Sequence, residues 1–375
     1  MRKPGHRCAR TPTTWVVATI AIFIAALCIL PYRDGHDCIP FHQCQSTTAY
    51  MERESLRYIP QSVVRTWRER DYLVVFGIPS EDTVRGRRRR HLQRTSCWEY
   101  SGVAARANNF TGEMLVLYVI GRHLFHGYTH SHTLCKEAVQ WHDVLALQIN
   151  EGKPQGFKGR KSIEVEVGMS RKTYLWFKLA LQVFPNASYL AKADDDIFLR
   201  VPQYLVDLRT LPRRGVYWGR LRQGVISTGE FNMAFPFVSG YCATTSRDVA
   251  ERLVSYEPLQ RLASLPYDEG RLQDYLDLMM NHEDQMVGVA LALTRHPIFL
   301  FGERCCRFHC IGKRKLGDCK YTPITKKSLV IHHALERHHV SLKRRFKASH
   351  ATPVSFTPVA SPKGFAGLVA FEFLC

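Results

Sequence analysis

Glycine and proline are sparse in this chain, 24 and 18 of 375 residues, and no internal repeat runs through it. That excludes a collagen and a disordered tail protein. Twelve cysteines over this length are too dilute for a disulfide mini-scaffold. No Gly-rich phosphate loop with a Walker-type lysine occurs, which counts against phosphoryl transfer from a nucleoside triphosphate. Acid is the minority charge, 33 Asp and Glu against 52 Lys and Arg. What is present, 45% apolar, 23% charged and 11% aromatic residues, is the composition of a folded globular protein. Its length suits two domains or one large α/β unit with extensions.

The net charge of +19 is concentrated rather than spread. Residues 1–10 carry +4, residues 85–94 six arginines and no acid, and residues 304–347 a net of +11, so the remainder is close to neutral. The first block precedes a stretch from Thr11 to Tyr32 without a charged side chain. At about 1.5 Å per residue such a segment reaches roughly 33 Å as a helix, enough to cross a hydrocarbon core. The positive-inside rule then predicts a cytosolic N-terminus with the bulk of the chain on the far side. A cleaved signal peptide would need a shorter apolar core and an Ala-x-Ala-like site, and none precedes Pro31. The expected order is a cytoplasmic tail (1–10), a transmembrane signal anchor (11–32), a stem (33–70), a catalytic domain (71–348) and a loose C-terminal tail (349–375). Ten cysteines and two sequons, at Asn109 and Asn186, follow the anchor, where disulfides and glycans form. Nucleic acid is excluded as a partner by that topology.

Within the domain, Tyr72–Ile78, Met114–Ile120, Val144–Leu147 and Ser188–Lys192 read as buried strands, apolar on both faces. Helical periods fall between them, over Arg85–Trp98, Glu137–Asp143 and Ser170–Phe184. Alternating strands and helices predict a mainly parallel sheet covered by helices.

The sharpest feature is Asp194-Asp195-Asp196 at the end of one such strand. Alternate strand residues share a face, so Asp194 and Asp196 can point together, and two carboxylates there suit Mn²⁺ or Mg²⁺ holding a diphosphate. The bland reading is a solvated acidic turn, but three acids among apolar neighbours are costly without a cation. Glu283 and Asp284 open a helix; they could cap it, or one could serve as the base that deprotonates an acceptor hydroxyl. Phe235-Pro-Phe237-Val-Ser-Gly240-Tyr241 reads as an aromatic-lined turn, either an acceptor wall or an ordinary core turn. His332-His333 after a strand-like Ser328–Ile331 could complete a metal shell or be a surface pair. The cysteines at 305, 306, 310 and 319 have zinc-like composition beside His309, but irregular spacing favours disulfides.

Five strings occur in order: Arg90-His-Leu-Gln-Arg94-Thr-Ser-Cys-Trp98, Lys192-Ala-Asp-Asp-Asp-Ile-Phe198, Tyr217-Trp-Gly219, Phe235 to Tyr241, and Glu283-Asp-Gln-Met-Val-Gly288. In that order they resemble the β-1,3-glycosyltransferases of family 31 and, more closely, the related trypanosomatid-type family 67. The resemblance covers residues from about 72 to about 335. It implies a GT-A fold, Rossmann-like, as a lumenal domain on a single transmembrane helix, in a type II Golgi membrane enzyme. It further implies Mn²⁺-dependent, inverting transfer of galactose or N-acetylglucosamine from a UDP-sugar to a glycan on glycoprotein or glycolipid. Carried over to this sequence, Asp196 would be the direct metal ligand, with Asp194 near the ribose or a metal-bound water and His332 completing the shell. Asp284 would be the base and Glu283 an acceptor or helix-orienting contact. Asp195, Lys192, Lys172, Arg90 and Arg94 would lie beside the nucleotide, and Phe237, Gly240 and Tyr241 beside the acceptor. Gln285-Met286 and the two phenylalanines depart from the family pattern, which leaves the acceptor open. A lumenal metal-dependent glycan-binding protein is the alternative, keeping the aspartates but needing no base.

Overall fold

In a computed structural model of the chain, residues 52–153, 162–228, 231–294, 296–311, 322–347, 350–360 and 368–375 are described. All of them fall within one compact unit, Thr47–Cys375. The chain runs through α1 (Gln61–Glu69), β1 (Val74–Ser80), α2 (Val84–Arg94), β2 (Val103–Ala104) and β3 (Met114–Arg122). It continues with α3 (His132–Trp141), β4 (Val144–Asn150), α4 (Ile163–Val183), β5 (Tyr189–Ala193), β6 (Ile197–Leu199), α5 (Val201–Thr210), β7 (Val216–Thr228) and β8 (Phe231–Ser246). Then come α6 (Arg247–Ser255), α7 (Glu257–Ser264), α8 (Leu272–Asp277), α9 (Glu283–Leu293), β9 (Ile298–Gly302), β10 (Phe308–Cys310) and β11 (Val330–His332). The last elements are α10 (Glu336–Phe346), β12 (Phe356–Val359) and β13 (Leu368–Phe373).

Among the described residues, ten strands form one sheet in the order β12-β13-β9-β7-β8-β5-β1-β3-β2, with β4 also on β3. Its two faces are visible in a single strand. Leu115, Leu117 and Val119 enter one apolar cluster while Met114, Val116, Tyr118 and Ile120 enter the other, as continuous apolar runs require when both faces are covered. Residues of α4, α6, α7 and α9 fill the first cluster, and those of α5 and α10 the second. At the centre, the Trp176 indole lies on Gly77, and its Nε1 donates to the Ala191 carbonyl at 3.0 Å. A Cβ on Gly77 would stand 2.1 Å from that ring.

The expectation of a Rossmann-like GT-A domain with a mainly parallel sheet, lumenal on an N-terminal transmembrane helix, is corrected here. The sheet is mixed: β5 pairs antiparallel to β8, β8 antiparallel to β7, and β12 antiparallel to β13, while β7 and β13 flank β9 in parallel. The long reversed strand β8 contains Phe235 to Tyr241, so that string is a strand and not a turn. No helix among the described residues is long and apolar enough to cross a membrane. The tail and the proposed span at 1–10 and 11–32 lie outside the described residues. Two further assignments change. Residues 61–69, expected as stem, form α1 with Val64 and Trp67 buried in the core. In the expected loose tail, β12 and β13 extend the sheet past β9, and Cys375 is disulfide-bonded to Cys306. The tail's aromatic residues explain the sheet extension: Phe356, Phe371 and Phe373 stack around Phe301 of β9.

A three-stranded sheet, β10-β11-β6, sits beside the large one. Its antiparallel register pairs His332 with Ile197, which sets His332 next to the aspartates that precede β6. Gly77→Ala should lower the unfolding free energy by about 1–3 kcal/mol, since Trp176 cannot withdraw without losing its hydrogen bond. An unchanged denaturant midpoint would show that the ring is not packed on the strand as described.

Candidate functional site

The site lies where β5 ends beside the reversed strand β8. The three aspartates form the turn between β5 and β6 and are not strand residues as expected, yet Asp195 still points apart from the other two. Asp195 turns toward β1 and α2, accepting from Ser80 Oγ at 2.7 Å and from Arg89 Nη1 at 2.7 Å. Burial, which outweighs Arg89, raises its carboxyl above the usual range. Asp194 and Asp196 face the other way, onto His332. His332 Nε2 is 3.3 Å from Asp194 Oδ2 and 3.2 Å from Asp196 Oδ1. His333 Nδ1 and Arg89 Nη2 also reach Asp196 Oδ2, at 3.2 and 3.1 Å. Burial disfavours ionising Asp194 and Asp196, but Lys192 and His332 for the first, and the two histidines and Arg89 for the second, hold both carboxyls well below their ordinary range. His332, against the same burial, is pushed up to about 11 by the two carboxylates.

The donor set fits a hard divalent cation. One atom each from Asp194, Asp196 and His332 lie within 4.8 Å of one another, two carboxylate oxygens and an imidazole nitrogen. The Tyr241 ring stacks on His332 at 4.7 Å and 9°, which fixes the imidazole plane. A second group, Cys310, His332 and His333, shares the same histidine.

Lys192, buried at the end of β5, joins this cluster to the start of α9. Its Nζ donates to Asp194 Oδ1 at 2.8 Å, Glu283 Oε1 at 2.7 Å and the Gly240 carbonyl at 2.7 Å. The Gly240 N–H in turn donates to Asp284 Oδ2 at 3.3 Å, and the Gln285 N–H to Asp284 Oδ1 at 2.8 Å. Burial first, and then the neighbouring Glu283, push the Asp284 carboxyl up to about 6. A Cβ at Gly240 would stand 2.2 Å from Glu283 Oε1 and 3.0 Å from Lys192 Nζ, so a side chain there would push Glu283 off the ammonium.

Of the residues expected at the site, Asp194, Asp196, His332, Lys192, Glu283, Asp284, Gly240 and Tyr241 come together, and Asp195 joins through Arg89. Others do not. Arg90 is spent on Glu137, with Nε and Nη2 donating at 2.8 and 2.6 Å, and on Ser80 Oγ at 3.0 Å. Arg94 is held by Asp143 and Glu137 at 2.7 Å each. Lys172 donates from below to the Ser80 carbonyl at 2.9 Å and pairs with Glu151. Phe237 faces the core under Gly288, whose missing side chain lets α9 approach β8. Arg90 does border a cavity of about 410 Å³, together with Asp82, Thr83, Arg87, His126 and Ser131. Both sequon asparagines, Asn109 and Asn186, are exposed.

Sequence reasoning missed Arg89 and Ser80, and it favoured a disulfide for Cys310, whose thiol is free. Arg89 stands in a run of four arginines, and only its place on α2 relative to the aspartates distinguishes it. No protein-family model matches the chain, and no curated protein matches it significantly in sequence.

The raised Asp284 carboxyl carries a sign. Between its unfolded value near 4 and about 6 the folded state holds the extra proton, so the wild type loses stability as pH rises through that window. Asp284→Asn has no such loss. Its stability relative to wild type should therefore grow from pH 4 to pH 7 by on the order of 2 kcal/mol, read from urea midpoints. A difference that stays flat with pH would mean Asp284 is not desolvated.

Proposed function

We propose that this chain is a metal-dependent hexosyltransferase that moves galactose or N-acetylglucosamine from a UDP-sugar to a hydroxyl of an acceptor glycan, with inversion. The observation that carries the reading is the coupling of two chemically different carboxylate pairs through one buried ammonium. Asp194 and Asp196 offer a cation site, and Asp284 is a basic carboxylate, with Lys192 and Gly240 between them. The ordered strings at 90–98, 192–198, 217–219, 235–241 and 283–288 support the β-1,3 class. The disulfide and the exposed sequons support an oxidising secretory setting.

Asp194, Asp196 and His332 would hold the cation, Mn²⁺ or Mg²⁺, which when bound neutralises charge on a departing diphosphate. The imidazole among the donors favours Mn²⁺ of the two. Asp284 is largely ionised at neutral pH yet more basic than an ordinary carboxylate, which suits it to take the acceptor proton as the new C1–O bond forms and the C1–O bond to UDP breaks. Glu283 is committed to Lys192 and orients the start of α9. A cavity of about 410 Å³ next to Arg90, which reaches Asp195 through Ser80 Oγ, is within the usual size of a small-ligand pocket and is where we place the nucleoside. A glycan-binding protein would not need a basic carboxylate at Asp284.

Purified protein given a panel of UDP-sugars, Mn²⁺ and acceptor glycans should release UDP in an acceptor-dependent manner. Asp284→Asn should cut that turnover by about 10²–10⁴-fold while UDP and Mn²⁺ still bind, whereas Asp196→Ala should lose Mn²⁺-dependent UDP binding. Full turnover in Asp284→Asn would remove the base assignment, and Mn²⁺-independent UDP binding by the wild type would remove the metal.

A further inference from the structure

His332 has two ring nitrogens, and they face different donors. Nε2 meets the Asp194 and Asp196 carboxylates at 3.3 and 3.2 Å, while Nδ1 lies 4.0 Å from the Cys310 sulfur. Strand pairing enforces this. Parallel β10 and antiparallel β6 flank β11, with Cys310 opposite His332 on one side and Ile197 opposite it on the other. His333 follows at φ 59°, a left-handed conformation that a non-glycine residue adopts only when its surroundings hold it there. Its ring stacks on that of His332 at 3.7 Å and 25°. One ligand atom each from Cys310, His332 and His333 lie within 4.8 Å of one another.

Thiol sulfur with two imidazoles is a donor set for zinc-class ions rather than for manganese or magnesium. Tetrahedral zinc places a thiolate sulfur and an imidazole nitrogen about 3.6 Å apart, so Cys310 and His332 at 4.0 Å need only a small closing movement, while the His333 ring, stacked on His332 with Nδ1 on Asp196 Oδ2 at 3.2 Å, must turn to bring a lone pair to the same ion. Cys310 is a free thiol, in contrast to Cys306 nearby in the chain, which is bound to Cys375. Three protein ligands leave the fourth position for water.

We propose that Cys310, His332 and His333 form a second cation site, selective for zinc-class ions, and that it excludes the carboxylate site because both draw on His332. A neutral imidazole has one lone pair and one N–H. With the lone pair on Nδ1 given to zinc, Nε2 carries the proton and donates to Asp194 and Asp196. With the lone pair on Nε2 given to the hard ion, Nδ1–H points at the Cys310 sulfur. Zinc thus withdraws one of three ligands from the other ion and acts as an inhibitor of its binding. The exclusion, though not the zinc site itself, rests on the cation site of the proposed function.

The full chain, purified without reductant, is titrated with Co²⁺ as a spectroscopic stand-in for zinc, and separately with Mn²⁺ followed by the loss of its free-ion paramagnetic resonance signal. Wild type should develop a near-ultraviolet thiolate-to-cobalt band at one equivalent, discharged by Zn²⁺. Cys310→Ser should lack the band yet keep Mn²⁺ binding and the wild-type far-ultraviolet circular dichroism, while Asp194→Asn should keep the band. One equivalent of Zn²⁺ should weaken Mn²⁺ binding roughly tenfold or more in wild type and leave it unchanged in Cys310→Ser. A missing band in wild type, or one that persists in Cys310→Ser and so belongs to another thiol, overturns the zinc site. A band with no effect of Zn²⁺ on bound Mn²⁺ overturns the exclusion. A band with no Mn²⁺ binding under any condition overturns the carboxylate site and the exclusion with it, leaving the zinc site standing.

Discussion

A buried ammonium must find an acceptor for each of its three protons or it costs several kcal/mol to keep charged. Lys192 finds three, the Asp194 carboxylate, the Glu283 carboxylate and the Gly240 carbonyl. Each acceptor comes from a different element, so satisfying one cation fixes the end of β5, the middle of β8 and the first turn of α9 relative to one another. Burial works against the charge on Lys192, but the two carboxylates more than offset it and raise its pKa above the ordinary value. The geometry of the remaining groups follows. Gly240 must lack a side chain so that Glu283 can reach the ammonium, and its N–H is then aimed at Asp284.

Strands apolar on both faces were legible because burial of both faces leaves no polar alternation, and β1, β3, β4 and β5 fall close to where such runs occur. That Asp194 and Asp196 would share a partner was legible, but not its cause: the three aspartates form a turn after β5, and His332 from β11 draws the two together. What a single strand cannot reveal is direction. Phe235 to Tyr241 contains Pro236 and Gly240, which locally read as a turn, yet this is the interior of a strand whose antiparallel partners supply the order. Likewise the last residues have no period, and their stacking on Phe301, pairing with β9 and the Cys306–Cys375 disulfide hold them in the sheet.

Charged side chains were the least legible. Arg90 and Arg94 recur at helical spacing, and nothing local says that Glu137 and Asp143, more than forty positions away, would claim them. Arg89, one residue earlier, takes the place beside the aspartates. Ion-pair partners are chosen by tertiary proximity, so a residue type in a motif can be right while the side chain that reaches the site is its neighbour.

The aspartates after β5 meet His332 at the end of β11 and His333 just past it, the latter across 137 positions of chain. Closing so long a loop carries an entropic cost, and the small sheet that holds His332 is completed by β6, the strand that follows the aspartates. Asp194 and Asp196 gain their imidazole partners only through that closure. This corner of the molecule therefore depends on contacts far apart in the chain, and losing them would leave the two carboxylates without the imidazole between them.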